Sequence, residues 1–201
     1  MKRITKIIVL CLSLIILAGC SSNQDTAKDT NESSPSANEN TQVNDGNILI
    51  TYFSWSGNTG NVANAIHNEI GGEIKKIEPL EPYTDDYDEL LDIAKDEQDS
   101  DARPALKENI DVSSYDIIFV GYPNWWSDMP MIMYTFLEVN DFSGKTIVPF
   151  NTSGGSGFSG TISEIEKITG ANVLEGLTLS SSAADNPQEE VSNWLAEINL
   201  K

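Results

Sequence analysis

The chain has 201 residues, with 31 acidic side chains against 12 basic ones and a formal net charge of −19. A surface this acidic repels nucleic-acid phosphates and anionic lipid headgroups, and it attracts cationic partners over long range. One histidine and two cysteines, Cys11 and Cys20, leave no His/Cys set for a transition-metal site, and no disulfide or free thiol beyond Cys20.

Residues 1–19 divide into a basic start (Lys2, Arg3, Lys6), an apolar run from Ile7 to Leu17 and a small-residue end. This is the form of a secretory signal, because the run is shorter than the roughly 20 residues that a membrane-spanning helix needs. Leu17-Ala18-Gly19-Cys20 resembles a bacterial lipobox, which implies cleavage before Cys20 and lipidation of its sulfur. Removal of residues 1–19 takes away three basic and no acidic residues, leaving nine against 31 and a net charge of −22.

Residues 21–46 are mostly Ser, Asn, Asp, Glu, Thr and Gln, so they bury too little apolar surface to order themselves. Segment 20–46 therefore reads as a lipid-anchored disordered linker with a random-coil reach of roughly 25–30 Å. The expected location is the extracytoplasmic side of the cell membrane.

From Asn47 to Lys201 there are 155 residues, enough for one domain with its own core. Strand-like runs near 48–53, 73–78, 115–121, 145–150 and 172–179 alternate with helical periodicity near 58–70, 85–99, 130–139, 159–169 and 187–198. Five βα units in series predict an α/β fold, with a parallel sheet covered on both faces. Val62, Ile66 and Ile70 mark the core face of the first helix, and His67 beside them reads as an ordinary boundary residue. Between Glu81 and Asp101 ten acidic residues accompany Tyr83, Tyr87, Leu90, Leu91 and Ile93. The apolar residues are expected to seat this helix on the sheet. The carboxylates form a solvated face, since the spacing of a Ca²⁺ loop is missing.

Ser54-Trp55-Ser56-Gly57-Asn58-Thr59 joins the first strand to the first helix. The hydroxyls of Ser54, Ser56 and Thr59, with the free N–H groups and dipole of a helix start, suit a phosphate. No Lys or Arg occurs between Lys28 and Lys75, so neutral donors must hold the anion. The loop has neither the Gly-Lys-Ser/Thr of a nucleotide-triphosphate loop nor the Gly-x-Gly-x-x-Gly of a dinucleotide fold. A plainer alternative is a turn whose polar side chains merely cap the helix.

Two further loops stand out. Gly121-Tyr122-Pro123-Asn124-Trp125-Trp126-Ser127-Asp128-Met129-Pro130 follows the third strand. Its adjacent tryptophans point in different directions and their indole N–H groups need partners, so core packing is a poor account of the pair. Asn151-Thr152-Ser153-Gly154-Gly155-Ser156-Gly157-Phe158 follows the fourth strand and offers small side chains and many backbone N–H groups to a planar ring.

Taken in order, Ser-x-Ser-Gly-Asn-Thr, Pro-x-Trp-Trp and Thr-Ser-Gly-Gly-Ser-Gly resemble the phosphate and ring loops of the flavodoxin-like family. The resemblance implies a flavodoxin-like doubly wound five-stranded parallel sheet in the order 2-1-3-4-5, with FMN beside strands one and three. It further implies that Ser54, Ser56, Asn58 and Thr59 fix the phosphate in a loop completed by Trp55 and Gly57. Pro123, Asn124, Asn151, Thr152, Ser153, Gly154, Gly155 and Gly157 would surround the ring, and Trp125 or Trp126 would stack on it. Flavodoxins present a Tyr from the loop after strand four, whereas here no aromatic precedes Phe158, so one ring face is expected to be open.

FMN would carry the chemistry, so no side chain need act as nucleophile or general acid. The leading expectation is an electron-transfer protein whose partner is a redox protein, basic where charge steers it, or a small acceptor such as a quinone. An NAD(P)H-dependent quinone or flavin reductase is the second expectation, although no basic cluster awaits a 2′-phosphate. The third is a flavodoxin-fold module that binds a ligand or partner without redox turnover.

Overall fold

The computed structural model describes residues 47–201; the expected signal 1–19, the linker 20–46 and Cys20 lie outside the described residues. Ile48, Leu49 and Ile50 are buried from both sides because β1 (Ile48–Tyr52) runs inside a sheet with helices on each face. The chain continues through α1 (Asn58–Ile70), β2 (Glu73–Lys76), α2 (Tyr87–Asp99), β3 (Ile117–Pro123) and α3 (Met131–Val139). It ends with β4 (Thr146–Thr152), α4 (Thr161–Thr169), β5 (Asn172–Val173), β6 (Leu177–Leu179), a 3-10 turn at Ala183–Asp185 and α5 (Gln188–Glu197). The sheet has the expected order, β2-β1-β3-β4-β5, with β6 also on β4 and every pair parallel.

Alternation along the strands sends Ile48, Ile50, Phe119, Val148 and Phe150 to one face, against Val62 and Ile66 of α1 and Val191, Trp194 and Leu195 of α5. Leu49, Ile118, Val120, Tyr122 and Ile147 face the other way, under Ile132, Met133 and Phe136 of α3 and Ile165 of α4. Each such buried side chain contributes roughly 1.5–3 kcal/mol of transfer free energy, against about 0–1 kcal/mol for an exposed ion pair. The two apolar layers, rather than the surface charges, hold the domain together.

The expected strand over 172–179 is two short strands. Its break lies at Leu174–Gly176, opposite the part of β4 that contains Pro149, which has no N–H to give to a neighbour. Gly176 is pressed there against Pro149 O and the Phe158 ring, where a Cβ would meet them at 2.7 and 2.6 Å. β3 and β4 also run two residues beyond their expected ends, pairing Tyr122 with Asn151 and Pro123 with Thr152. Four residues expected in loops are thus held on the sheet, because strand pairing overrides the local turn preference of Pro, Asn and Thr.

Gly121 of β3 sits opposite Phe150 of β4, and a Cβ on it would stand 2.1 Å from the Phe150 ring. Gly121→Ala is expected to lower stability by about 1–3 kcal/mol in urea unfolding. A second change, Phe150→Leu, should recover much of that loss.

Candidate functional site

The carboxyl ends of β1, β3 and β4 lie side by side, and the loops leaving them enclose, with one face of α2, a cavity of about 400 Å³. That is the place where open parallel sheets take ligands, and the volume is within the range of small-molecule sites. Its polar lining is Ser56, Asn58, Asn124, Thr152, Ser153, Gly154 and Ser181. Its apolar lining is Trp55, Pro123, Trp125 and Trp126 with Tyr87, Leu90, Leu91 and Ala94 of α2. No Asp, Glu, Lys, Arg or His lines it, so any anion held here is held by neutral groups.

The first loop is set by Gly57, whose φ of 97° begins α1 in a conformation that disfavours a side chain. No side chain caps that helix start, so the hydroxyls of the loop are not spent on capping. Thr59 is buried, and its Oγ1 lies 2.9 Å from Thr152 Oγ1, pinning the loop to the end of β4. Ser54 is buried beneath the loop with its Oγ unpartnered. An unsatisfied buried hydroxyl costs roughly 1–3 kcal/mol, a cost that a bound acceptor would offset. Trp55 donates its indole N–H to Thr84 O at 2.8 Å, which ties this loop to the segment leading into α2.

The second loop is a tight turn closed by Trp125 N–H to Asp128 O (2.8 Å) and Asp128 N–H to Trp125 O (2.9 Å). Its central residues, Trp126 and Ser127, have φ of 50° and 64°, an uncommon conformation for a bulky side chain. Asp128 Oδ1 holds the turn by accepting from Met129 N–H at 2.7 Å and from the Tyr134 hydroxyl at 3.0 Å.

The two tryptophans part company. Trp125 packs edge-on against Phe53 at 5.4 Å and Tyr83 at 5.5 Å, so core packing does account for it, contrary to expectation. Trp126 stands 50 % exposed at the cavity mouth and donates its indole N–H to Leu91 O at 3.1 Å.

The third loop is folded on itself. Ser153 Oγ accepts from Gly155 N–H (3.3 Å) and Gly157 N–H (3.0 Å). Gly157 O accepts from Asn124 Nδ2 (2.8 Å) and Asn151 Nδ2 (2.7 Å). The N–H groups of Gly155 and Gly157, expected to face a ligand, therefore stabilise the loop, and Gly154 is its one glycine in the lining.

Of the sixteen residues expected at the site, the structure gathers Trp55, Ser56, Asn58, Pro123, Asn124, Trp125, Trp126, Thr152, Ser153 and Gly154 around one cavity. Ser54, Gly57, Thr59, Asn151, Gly155 and Gly157 shape the loops from behind it. Sequence reasoning missed Ser181, brought in because Ser153 N–H bonds Leu179 O at 2.9 Å beside it. It also missed the α2 face formed by Tyr87, Leu90, Leu91 and Ala94, although their i, i+3, i+4, i+7 spacing is visible in the chain.

The flavodoxin family (Flavodoxin_4) matches residues 47–198. Among solved structures, a candidate flavoprotein from Bacteroides eggerthii is 34% identical, covers 77% of this chain and 99% of its own, and has a TM-score of 0.68. One from Bacteroides uniformis is 32% identical, with coverage of 75% and 98% and a TM-score of 0.67. A flavoprotein from Lactobacillus acidophilus, solved in complex with FMN, is 29% identical, with coverage of 69% and 96% and a TM-score of 0.57. No curated protein matches the chain.

Behind Trp125, the Tyr83 hydroxyl donates to Glu97 Oε2 at 2.8 Å. Burial raises the Glu97 carboxyl above its usual value of 4.5, and the Tyr83 bond only partly opposes this. A carboxyl with a raised folded-state pKa favours folding below its unfolded value and loses that contribution as pH rises through the folded one. Glu97→Gln is therefore expected to match wild type in stability below about pH 4 and to exceed it at pH 7. Thermal melts across that range test it.

Proposed function

Because the chain belongs to the flavodoxin family, we propose that it binds FMN in the cavity at the carboxyl ends of β1, β3 and β4 and transfers electrons through it. FMN, when bound, supplies one- and two-electron redox chemistry. The observation that carries the reading is the pairing of an uncapped helix start, beside Ser56 and Asn58, with an uncharged, aromatic-lined cavity. A phosphate needs the first and a flavin ring the second. Gly154 adds to the fit, since a Cβ there would meet nothing within 4 Å and would project into open space at the lining.

In this reading Ser56, Asn58 and the N–H groups of the α1 start hold the phosphate, with Ser54 buried behind the loop that carries them. Thr59 acts through Thr152 to place that loop. Trp126 and the edge-locked Trp125 contact the ring, and Asn124 and Gly154 meet its polar rim. The exposed carboxylates of α2, among them Asp88, Glu89 and Asp92, lie outside the lining but close to it. Their field opposes added negative charge, lowers the potential of the bound cofactor and is screened by salt. The same charge favours a cationic redox partner.

The chain acts on a lipid anchor at Cys20, on the outer side of the cytoplasmic membrane. The lipobox-like Leu17-Ala18-Gly19-Cys20 and the polar segment after it support this. Asn47 leads into the amino end of β1, whereas the cavity lies at the carboxyl ends of the strands. About 16 Å of strand therefore separates the point where the linker joins the domain from the mouth.

Full-length protein titrated with FMN in a calorimeter should release heat, turn yellow and quench flavin fluorescence; a folded protein with flat heats overturns the reading. Gly154→Val should weaken FMN binding more than about 10-fold while leaving the melting temperature within a few degrees of wild type. Metabolic labelling with palmitate should mark the wild-type chain and fail to mark Cys20→Ala.

A further inference from the structure

We propose that α2 supplies the second wall of the ring site, with Tyr87 covering the flavin face that the loop after β4 leaves open. This rests on the FMN reading above. Four large hydrophobic side chains are exposed among the described residues, and two of them, Tyr87 at 60 % and Trp126 at 50 %, line the same cavity. Exposed aromatic surface gathered at one concave site marks a place where a ligand covers it.

The helix that carries Tyr87 is acidic on its outer faces, yet its apolar stripe, Tyr87, Leu90, Leu91 and Ala94, lines the cavity. Only Leu90 and Ala94 of its 13 residues are buried, so the stripe is only partly spent on the core. An amphipathic helix ordinarily buries that stripe. Here half of it awaits a partner.

Trp126 bonds Leu91 O, four residues along α2 from Tyr87. Residues four apart share one face of a helix, so Tyr87 and the anchor of Trp126 lie on the same face of α2 and both line the cavity. Tyr87 is backed by Trp55, with ring centroids 6.1 Å apart at a 44° tilt, and Trp55 is itself anchored on Thr84 O. The loop after β4 has no such group to offer. Its first aromatic, Phe158, packs on Tyr122 at 6.3 Å and against Gly176, away from the cavity lining. A ring covered on both faces exchanges electrons through its edge, which favours electron carriage over hydride transfer to or from a stacked substrate.

The test titrates full-length wild type, Tyr87→Ala and Tyr87→Phe with FMN and with riboflavin while following flavin fluorescence. Tyr87→Ala should bind both ligands roughly 10-fold more weakly, by a similar factor because the lost contact is to the ring, and its bound flavin should regain fluorescence. Tyr87→Phe should restore both quenching and affinity. Tyr87 is largely exposed, so an unchanged melting temperature in Tyr87→Ala separates lost contact from lost fold. Affinity and quenching unchanged in Tyr87→Ala, with wild type binding FMN tightly, overturn the α2 assignment alone. Absence of FMN binding by wild type overturns the functional reading and this inference with it.

Discussion

Parallel pairing of β3 with β4 through Tyr122–Asn151 and Pro123–Thr152 is the constraint on which the cavity depends. Carrying the ladder to those last pairs turns residues with turn chemistry into strand residues with fixed positions. Asn124 N–H then bonds Thr152 O at 2.8 Å and Asn151 reaches Gly157 O, so the loops after β3 and β4 are both locked to the carboxyl end of the sheet. The Thr59–Thr152 contact extends the lock to the first loop. Three loops far apart in sequence are thereby bonded to one another, which is what a site of neutral hydrogen-bond donors requires, since such donors are weak unless held in place.

α2 follows a different logic. α1, α3 and α5 bury broad apolar faces on the sheet, whereas α2 is fastened largely by specific bonds. Trp126 reaches Leu91 O, Trp55 reaches Thr84 O just before the helix, and Tyr83 reaches Glu97 near its end. Two of those anchors are indoles belonging to the cofactor loops themselves. Loop position and helix position are therefore coupled, and the half-buried Glu97 lies within the same aromatic cluster as Trp125. Most of the negative charge of α2 stays in solvent, outside the cavity lining.

Much of this was legible in the chain. The period-2 and period-3.6 patterns placed every major element within about two residues, and α1 matched its expected range because Gly57 and the Val62–Ile66 stripe are local signals. The three loops were readable as a set because small and hydroxyl-bearing residues after buried strands have few other uses. Other features depend on neighbours distant in sequence. The fifth strand was expected whole because Gly176 gives no warning of the Phe158 ring that occupies its missing side chain. Trp125 and Trp126 look equivalent as neighbours, yet one packs edge-on against Phe53 and Tyr83 at the margin of the core while the other stands half-exposed at the cavity mouth.

The sequence by itself determined the order of elements, the parallel sheet, the neutral character of the first loop and the acidic surface, because each depends on residue types and short-range periodicity. Tertiary structure alone decided which donors face the cavity, which are consumed by the Gly-rich loop, and that the stripe of α2 forms a wall of the site. Those outcomes turn on pairs such as Trp126 with Leu91 and Thr59 with Thr152, separated by 35 and 93 positions. A local pattern carries no information about such partners until the sheet has brought them within bonding distance.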